Sequence, residues 1–152
     1  MASVLGDDID ILAKARRALP ADYTPGEDEE YMSEQQLNYF RVLLLEWKKS
    51  ILTASDLTLQ SLQDGPIREP DMNDRASSET DWGIELRTRD RQRKLIAKID
   101  AAMRRIDEGE YGWCEVTGEP IGIHRLIARP IATMTVEAQQ AHERREKVSR
   151  DD

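Results

Sequence analysis

The chain has 152 residues, of which 34% are charged and only 5% aromatic, with a single Phe. This balance suits long, solvated helices better than a compact globule with a rich apolar core. The uncharged apolar runs are only a few residues long, so the sequence predicts no membrane span. Acidic residues occupy the N-terminus where a signal peptide would be basic and then apolar, so we expect a cytoplasmic protein.

The net charge and the cysteine count argue against further kinds of protein and of site. The net charge of −8 argues against general nucleic-acid binding through phosphate neutralisation. Residues 80–109 are the exception, with eight bases against six acids. Cys114 is the only cysteine, so neither an intramolecular disulfide nor a four-thiolate metal site can form.

The N-terminal region, residues 1–32, reads as a short helix followed by an acidic linker, and we assign it to a globular base. A helix is predicted from Asp7 to Ala18, with Pro20 just past its end. Prolines, a glycine and acids fill residues 20–30, as is typical of a linker. Ser33 then offers an N-cap, with Gln36 in the position of its capping-box partner.

Residues 33–109 carry two heptad segments separated by Gly65-Pro66, which predicts an antiparallel coiled-coil hairpin with its tip at 65–79. The first seam has apolar residues at alternating steps of three and four: Leu37, Phe40, Leu44, Trp47, Ile51 and Ala54. The second seam comprises Trp82, Leu86, Ile96, Ile99, Met103 and Ile106, with Arg89 and Arg93 at its central positions. The predicted fold is therefore mainly all-α.

Residues 110–152 are expected to complete the base. A turn-rich segment to Pro130 contains three glycines and two short apolar stretches, and it is too short for a core of its own. Thr133 or Thr135 then offers a cap for a last helix that runs to about Val148.

Three features could carry function. The hairpin tip contains Asp71 and Asp74, two carboxylates three residues apart that could touch a metal, a base or a partner, or could simply belong to a polar turn. In the second arm, spacings of three and four place a basic set on one helix face: Arg87, Arg91, Lys94 and Lys98. That face could bind a polyphosphate or an acidic surface, or it could only balance acids of the first arm.

The third feature is a pair of motifs with the spacing of a zinc ribbon. Cys114-x-x-Thr117 is followed by Thr135-x-x-Ala138, where a four-cysteine ribbon would have CxxC twice. Hydroxyls and a methyl group cannot replace thiolates, so the similarity is either accidental or marks a zinc fold that has lost its metal.

Several stretches together resemble the TraR/DksA family over nearly the whole chain. They are Glu30-Tyr31-Met32, the tip Pro70-Asp71-x-x-Asp74-Arg75-Ala76, the run from Glu85 to Ile96, Tyr111-Gly112-x-Cys114, and Ile121-Gly122-Ile123-x-Arg125-Leu126-x-Ala128-Arg129-Pro130. The resemblance implies a degenerate zinc-finger segment in a low-cysteine member that binds no zinc.

The resemblance also implies a function. Family members bind RNA polymerase without contacting DNA, place the hairpin in the secondary channel, and regulate stable-RNA and other promoters together with the alarmone ppGpp. By motif match the tip residues would be Asp71, Asp74 and Ala76. The residues at the ppGpp site and polymerase rim would be Arg91, Lys94, Leu95, Lys98 and Arg129. A further family position there is usually basic and is Gln139 in this chain. We expect a monomer with no stably bound cofactor.

Two alternatives remain open. A transcript-cleavage factor also uses a hairpin with an acidic tip, and a generic coiled-coil adaptor would need no polymerase. A stand-alone enzyme is disfavoured because two histidines and one cysteine form no catalytic set.

Overall fold

A computed structural model of the chain describes the backbone of residues 2–64 and 72–151, and the side chains of residues 6–56 and 79–149. Within these ranges the protein is α-helical, with one isolated β-bridge between Trp113 and Pro120. The helices are α1 (Ala2–Ala18), α2 (Glu34–Asp64), α3 (Met72–Glu108), α4 (Ile123–Ala128) and α5 (Val136–Asp151). The predicted mainly α-helical class is confirmed. In the described part, none of these helices is long and apolar enough to cross a membrane.

The chain divides into two compact units. The base unit combines Met1–Leu45 with Ala101–Asp152, and the hairpin unit is Glu46–Asp100. Helices α2 and α3 contribute to both units because each runs across a boundary.

The start of α2 uses Ser33 and Gln36, as the sequence predicted. The Ser33 hydroxyl accepts a hydrogen bond from the Gln36 backbone N–H at 3.3 Å. The Gln36 side chain reaches back one residue further than a standard capping box, and its Oε1 accepts from the Met32 N–H at 2.7 Å. Its Nε2 donates to the carbonyl of Gly26 and to Glu29, so one fully buried amide ties the acidic linker to the helix.

The core of the base unit is aromatic and aliphatic. Phe40 and Tyr111 are almost fully buried, and their ring centroids lie 5.4 Å apart. The Tyr111 hydroxyl donates to the Pro130 carbonyl at 2.7 Å, which satisfies the only polar atom of its side chain. Other buried members of this core are Leu12, Leu44, Ile106, Ile121, Ile123 and Leu126.

Within the hairpin unit, side-chain contacts establish an antiparallel pairing of α2 with α3. Lys48 contacts Asp100 at 2.7 Å, and Ser55 contacts Gln92 at 3.1 Å. The partner number falls as the α2 number rises, which only antiparallel helices produce.

The predicted second seam is wrong in its outer half. Ile99 is buried, but Leu86 is 44% exposed, and both Arg89 and Arg93 face solvent. The helix side that faces α2 carries Gln92 there instead. A straight α-helix drifts by about 20° per heptad relative to a strict seven-residue repeat, so the sequence stripe turns away from the partner helix. The last member of the first seam, Ala54, is also exposed.

The last helices are positioned by turns. Helix α3 ends one residue before Gly109, whose φ of +77° is readily adopted only by glycine. Of the two predicted caps for α5, Thr135 is the one used, because its hydroxyl accepts from the Ala138 N–H at 3.1 Å. Helix α4 was not predicted, since its six residues are too few for a visible period.

Candidate functional site

The predicted tip lies at the edge of what the structure describes. Asp71 falls outside the described residues. Asp74 and Ala76 lie in the first two turns of α3, and their side chains are outside the described set. Their role at the tip therefore stays a prediction.

The basic face of α3 is exposed along its length. Its members, Arg87, Arg91, Lys94 and Lys98, all have solvent-accessible side chains. Leu95, beside them, is half-buried. Arg91 donates to the Thr88 hydroxyl at 3.3 Å, a contact within one turn that leaves most of the guanidinium available. The hairpin unit thus presents four cations and one apolar edge on a single helix surface.

Arg129 belongs to the base unit, at the C-terminal end of α4. Its N–H donates to the Arg125 carbonyl at 2.7 Å, and its side chain is exposed. The Arg125 guanidinium instead stabilises the fold, because its Nε donates to the Met134 carbonyl at 2.9 Å. Gln139, the family position that is usually basic, donates to Glu143 at 3.1 Å on the surface of α5.

The zinc-ribbon motifs fold into a compact knuckle in the base unit. The Gly118 N–H donates to the Cys114 carbonyl at 2.9 Å, which closes the turn of Cys114-x-x-Thr117. The Glu115 N–H donates to the Thr133 carbonyl, bringing the second motif alongside the first. The two motifs, which seventeen residues separate in the sequence, therefore meet in space.

Cys114 is the centre of this knuckle, with 3% of its surface exposed. Burial alone would raise the pKa of its thiol. Hydrogen bonds from the Thr117 hydroxyl and from the N–H groups of Thr117, Thr135 and Val116 outweigh burial and lower the pKa of Cys114 to about 7. The sulfur is thus surrounded by the donors that a metal-bound thiolate would attract, although the neighbouring ligand positions hold no thiol.

The knuckle does not fit a structural zinc ion. Cys114 supplies one thiolate, whereas the hydroxyls of Thr117 and Thr135 stay protonated near neutral pH and Ala138 has no donor atom. The Thr135 hydroxyl is already engaged as the N-cap of α5. Across the side chains that the structure describes, no three His, Cys, Asp or Glu residues gather as a metal site.

A tyrosine joins the segment before α2 to the knuckle, and sequence reasoning assigned it no role beyond the resemblance. The Tyr31 hydroxyl donates to the Gly112 carbonyl at 2.7 Å and accepts from the Gly122 N–H at 2.9 Å. Burial raises the pKa of Tyr31, so the hydroxyl remains a donor at neutral pH. Its ring lies 5.2 Å from that of Trp113. Because the two hydrogen bonds span 81 and 91 residues, no local pattern could have predicted them.

Arg105 closes the other side of the knuckle. Its guanidinium donates to the carbonyls of Glu110 at 3.2 Å and Trp113 at 2.8 Å, and it lies 3.9 Å from the Glu115 carboxylate. The chain leaving α3 is therefore fixed by side chains. Trp113 is 38% exposed, and its backbone pairs with Pro120 in the β-bridge.

This arrangement of a helical hairpin and a zinc-ribbon-like knuckle is matched by two family models. Residues 36–106 match the N-terminal domain of the DnaK suppressor protein DksA, and residues 109–144 match the prokaryotic dksA/traR C4-type zinc finger. The chain belongs to the DksA/TraR family. It departs from the C4 description of the family's zinc finger, since only Cys114 occupies a ligand position.

Relatives in this family cover most of the chain. The RNA polymerase-binding transcription factor DksA of Caulobacter vibrioides is 61% identical over 132 residues, which are 87% of this chain and 93% of the relative. The protein of the same name from Escherichia coli K12 is 41% identical over 84% of this chain and 83% of its own length. Among solved structures, transcription factor DksA2 from Pseudomonas aeruginosa matches with a TM-score of 0.69 and 41% identity, covering 77% of this chain and 90% of that one.

Proposed function

We propose that this protein is a transcription factor that binds RNA polymerase. The observation that carries the proposal is the 61% identity to a relative named for that activity, over 93% of the relative's length. The helical hairpin and the knuckle both belong to the matched region, so the proposal covers the two units together.

In this proposal the hairpin enters the secondary channel of the polymerase, and Asp71, Asp74 and Ala76 act near its active site. A helical hairpin suits that task because intrahelical hydrogen bonds satisfy its backbone without help from a surrounding core. The second arm within the hairpin unit is about 44 Å long at 1.5 Å per residue, which is long enough to carry carboxylates down a narrow channel.

The effector in this proposal is ppGpp, held between the factor and the rim of the polymerase. Exposed Arg91, Lys94 and Lys98 offer charge-assisted hydrogen bonds to phosphates, and half-buried Leu95 offers an apolar contact. Arg129 would contribute from the base unit. The net charge of −8 supports recognition without DNA contact. The proposal also places the protein in the cytoplasm, as a monomer.

We further propose that the knuckle is stable without zinc. The Thr135 cap, the hydrogen bonds to the Cys114 sulfur and the Tyr31 bridge supply the connections that a metal would otherwise make. Elemental analysis of purified protein should give far less than one zinc per chain, and chelator should leave the melting temperature unchanged. One zinc per chain, with melting lowered by chelator, would overturn this part.

Binding to core RNA polymerase tests the central proposal. The full-length protein should co-purify with core enzyme and repress a stable-RNA promoter in vitro, more strongly with ppGpp. A backtracked complex with its transcript labelled separates this function from that of a cleavage factor, because the proposed regulator should not stimulate cleavage. A generic adaptor would fail to bind polymerase at all.

A further inference from the structure

Met32 has a strained backbone conformation just before α2. Its φ is +55°, a left-handed value that residues other than glycine rarely adopt. The Met32 N–H donates to Oε1 of Gln36 at 2.7 Å, and the Gln36 side chain is fully buried. The next residue, Ser33, caps the helix. The main chain at Met32 therefore cannot shift without disrupting the start of α2.

The Met32 thioether lies against the backbone of Gly112 in the knuckle. A Cβ added to Gly112 would lie 2.6 Å from the Met32 sulfur, 2.8 Å from its Cγ and 3.3 Å from its Cε. These three atoms thus occupy the space in which a side chain at Gly112 would stand. The Gly112 carbonyl accepts hydrogen bonds from the Tyr31 hydroxyl at 2.7 Å and from the Ile121 N–H at 2.8 Å, so Gly112 is fixed as well. Neither side of this contact has room to move apart.

The two sulfur-containing side chains at the knuckle differ in their access to solvent. A cysteine thiolate is normally the side chain that oxidants attack first, provided that they can reach it. Cys114 is only 3% exposed, and its sulfur already accepts hydrogen bonds from surrounding donors. Met32 is half-buried, so a molecule as small as hydrogen peroxide can approach its side chain from solvent. The thioether is therefore the more accessible target for oxidation in this part of the protein.

We infer that Met32 is a site of reversible oxidation, at which hydrogen peroxide converts the thioether to the sulfoxide and thereby destabilises the knuckle. A sulfur lone pair attacks one peroxide oxygen, the O–O bond breaks and hydroxide leaves. That hydroxide takes the proton from the transferred oxygen and forms water, so the sulfur loses two electrons and the peroxide gains them. The product has a polar S=O group where an apolar thioether lay directly against Gly112. Either the new oxygen displaces Gly112 or the side chain turns outward, and both changes expose the hydrogen bonds of the Gly112 carbonyl to water. The inference does not depend on polymerase binding.

The test treats the full-length protein, with Cys114→Ser to remove the thiol, with hydrogen peroxide and locates the sulfoxide by peptide mass spectrometry. Oxidation of Met32 should lower the melting temperature by about 3–6 °C. Methionine sulfoxide reductase should restore it. Adding Met32→Leu keeps an apolar side chain of similar volume, so peroxide should then leave the melting temperature unchanged. The matched control is Met103→Leu, because Met103 is a half-buried methionine of the same base unit and its replacement should leave the peroxide effect in place.

Met32→Gln provides a second measurement that needs no oxidant. It places a polar group of similar length against Gly112, so it should melt at a lower temperature than Met32→Leu before any treatment. Three results would overturn the inference. One is sulfoxide at Met103 or Met134 while Met32 stays reduced. Another is a peroxide-induced drop in melting temperature that is equally large in Met32→Leu. The third is complete oxidation of Met32 with no change in melting temperature.

Discussion

The Lys48 ammonium lies 2.7 Å from Oδ1 of Asp100 and joins the two arms of the hairpin unit. The Lys48 side chain is only 7% exposed, whereas that of Asp100 is 38% exposed. A cation buried in the seam of a helical pair needs its partner close by, so the contact fixes which turn of α3 lies opposite Lys48.

Replacing Asp100 and replacing Lys48 should change the free energy of unfolding by different amounts. Asp100→Asn is expected to lower the free energy of unfolding by about 1–3 kcal/mol, because it leaves the buried Lys48 charge without this carboxylate. Lys48→Met should cost less than about 1 kcal/mol or even stabilise, since the remaining carboxylate can be hydrated and the thioether fills a similar volume. Urea unfolding of both variants measures the difference. Equal losses would show that the ion pair itself stabilises the fold, and that leaving the Lys48 charge without this carboxylate adds no further cost.

The hairpin could be predicted from sequence, but its exact pairing could not. Apolar steps of three and four and the break at Gly65-Pro66 predict two antiparallel arms. Lys48 at a buried position escapes such a pattern because a long side chain can bury its stem while its charge meets a partner. The drift that exposes Leu86 is also invisible, because it accumulates from small deviations of a straight helix from a seven-residue repeat.

Gly112 should tolerate no side chain. Its φ is +90°, and a Cβ there would lie 2.6 Å from the Met32 sulfur. Gly112→Ala is expected to lower the free energy of unfolding by about 2–3 kcal/mol, from backbone strain plus the clash. Gly118→Ala is the matched control: its φ is +76° but the space is open, so only about 1 kcal/mol should be lost. If the clash is real, the double variant Gly112→Ala/Met32→Ala should lose less stability than the summed losses of the two single variants.

Asp74→Asn should separate activity from binding. The change keeps size and removes one carboxylate charge from the first turns of α3. Affinity for RNA polymerase should stay within about twofold of wild type, while repression of a stable-RNA promoter is lost, because the tip acts beyond the surfaces that bind. Binding and transcription assays on the same variant measure the two effects separately. A matching loss of affinity would contradict this division.

The effector prediction concerns Lys98 and Arg129. Replacing either with Ala removes a charge-assisted phosphate contact, an interaction worth about 1.5–3 kcal/mol. Stimulation by ppGpp should weaken while activity without ppGpp is kept. Titrating ppGpp into a transcription assay measures the shift, with Lys49→Ala as a control cation on the first arm. Wild-type stimulation in both variants would mean that these side chains are only solvated charges.

In the base unit, the sequence predicts the outline of the knuckle but not the contacts that stabilise it. The spacing of Cys114-x-x-Thr117 and Thr135-x-x-Ala138 predicted a zinc-ribbon outline, and the structure brings the two motifs together. Nothing in that spacing indicates that Thr135 caps α5 or that Tyr31 bridges two turns of the knuckle. Such contacts join segments far apart in sequence, so they follow from the tertiary fold and not from a local period.

The stability of the knuckle should depend on pH through Cys114. Folding lowers the pKa of its thiol from an ordinary 9.0 to about 7, so the folded state favours the thiolate. The resulting contribution to stability is fully present above about pH 9 and is lost as pH falls through about 7. Relative to Cys114→Ser, the wild-type free energy of unfolding should therefore rise between pH 7 and pH 9. Thiolate absorbance near 240 nm should titrate with a midpoint near 7 in the folded protein.

Thr117→Val provides the decisive comparison for this titration. It removes the hydroxyl that donates to the sulfur while it keeps the side-chain shape and the backbone donors of Thr117, Thr135 and Val116. The thiolate midpoint should move upward, and the rise in stability between pH 7 and pH 9 should shrink, because the folded state then favours the thiolate less strongly. Thr133→Val, which removes a hydroxyl that contacts Glu115 instead, should leave the midpoint in place. An unchanged midpoint in Thr117→Val would mean that the backbone donors alone hold the thiolate.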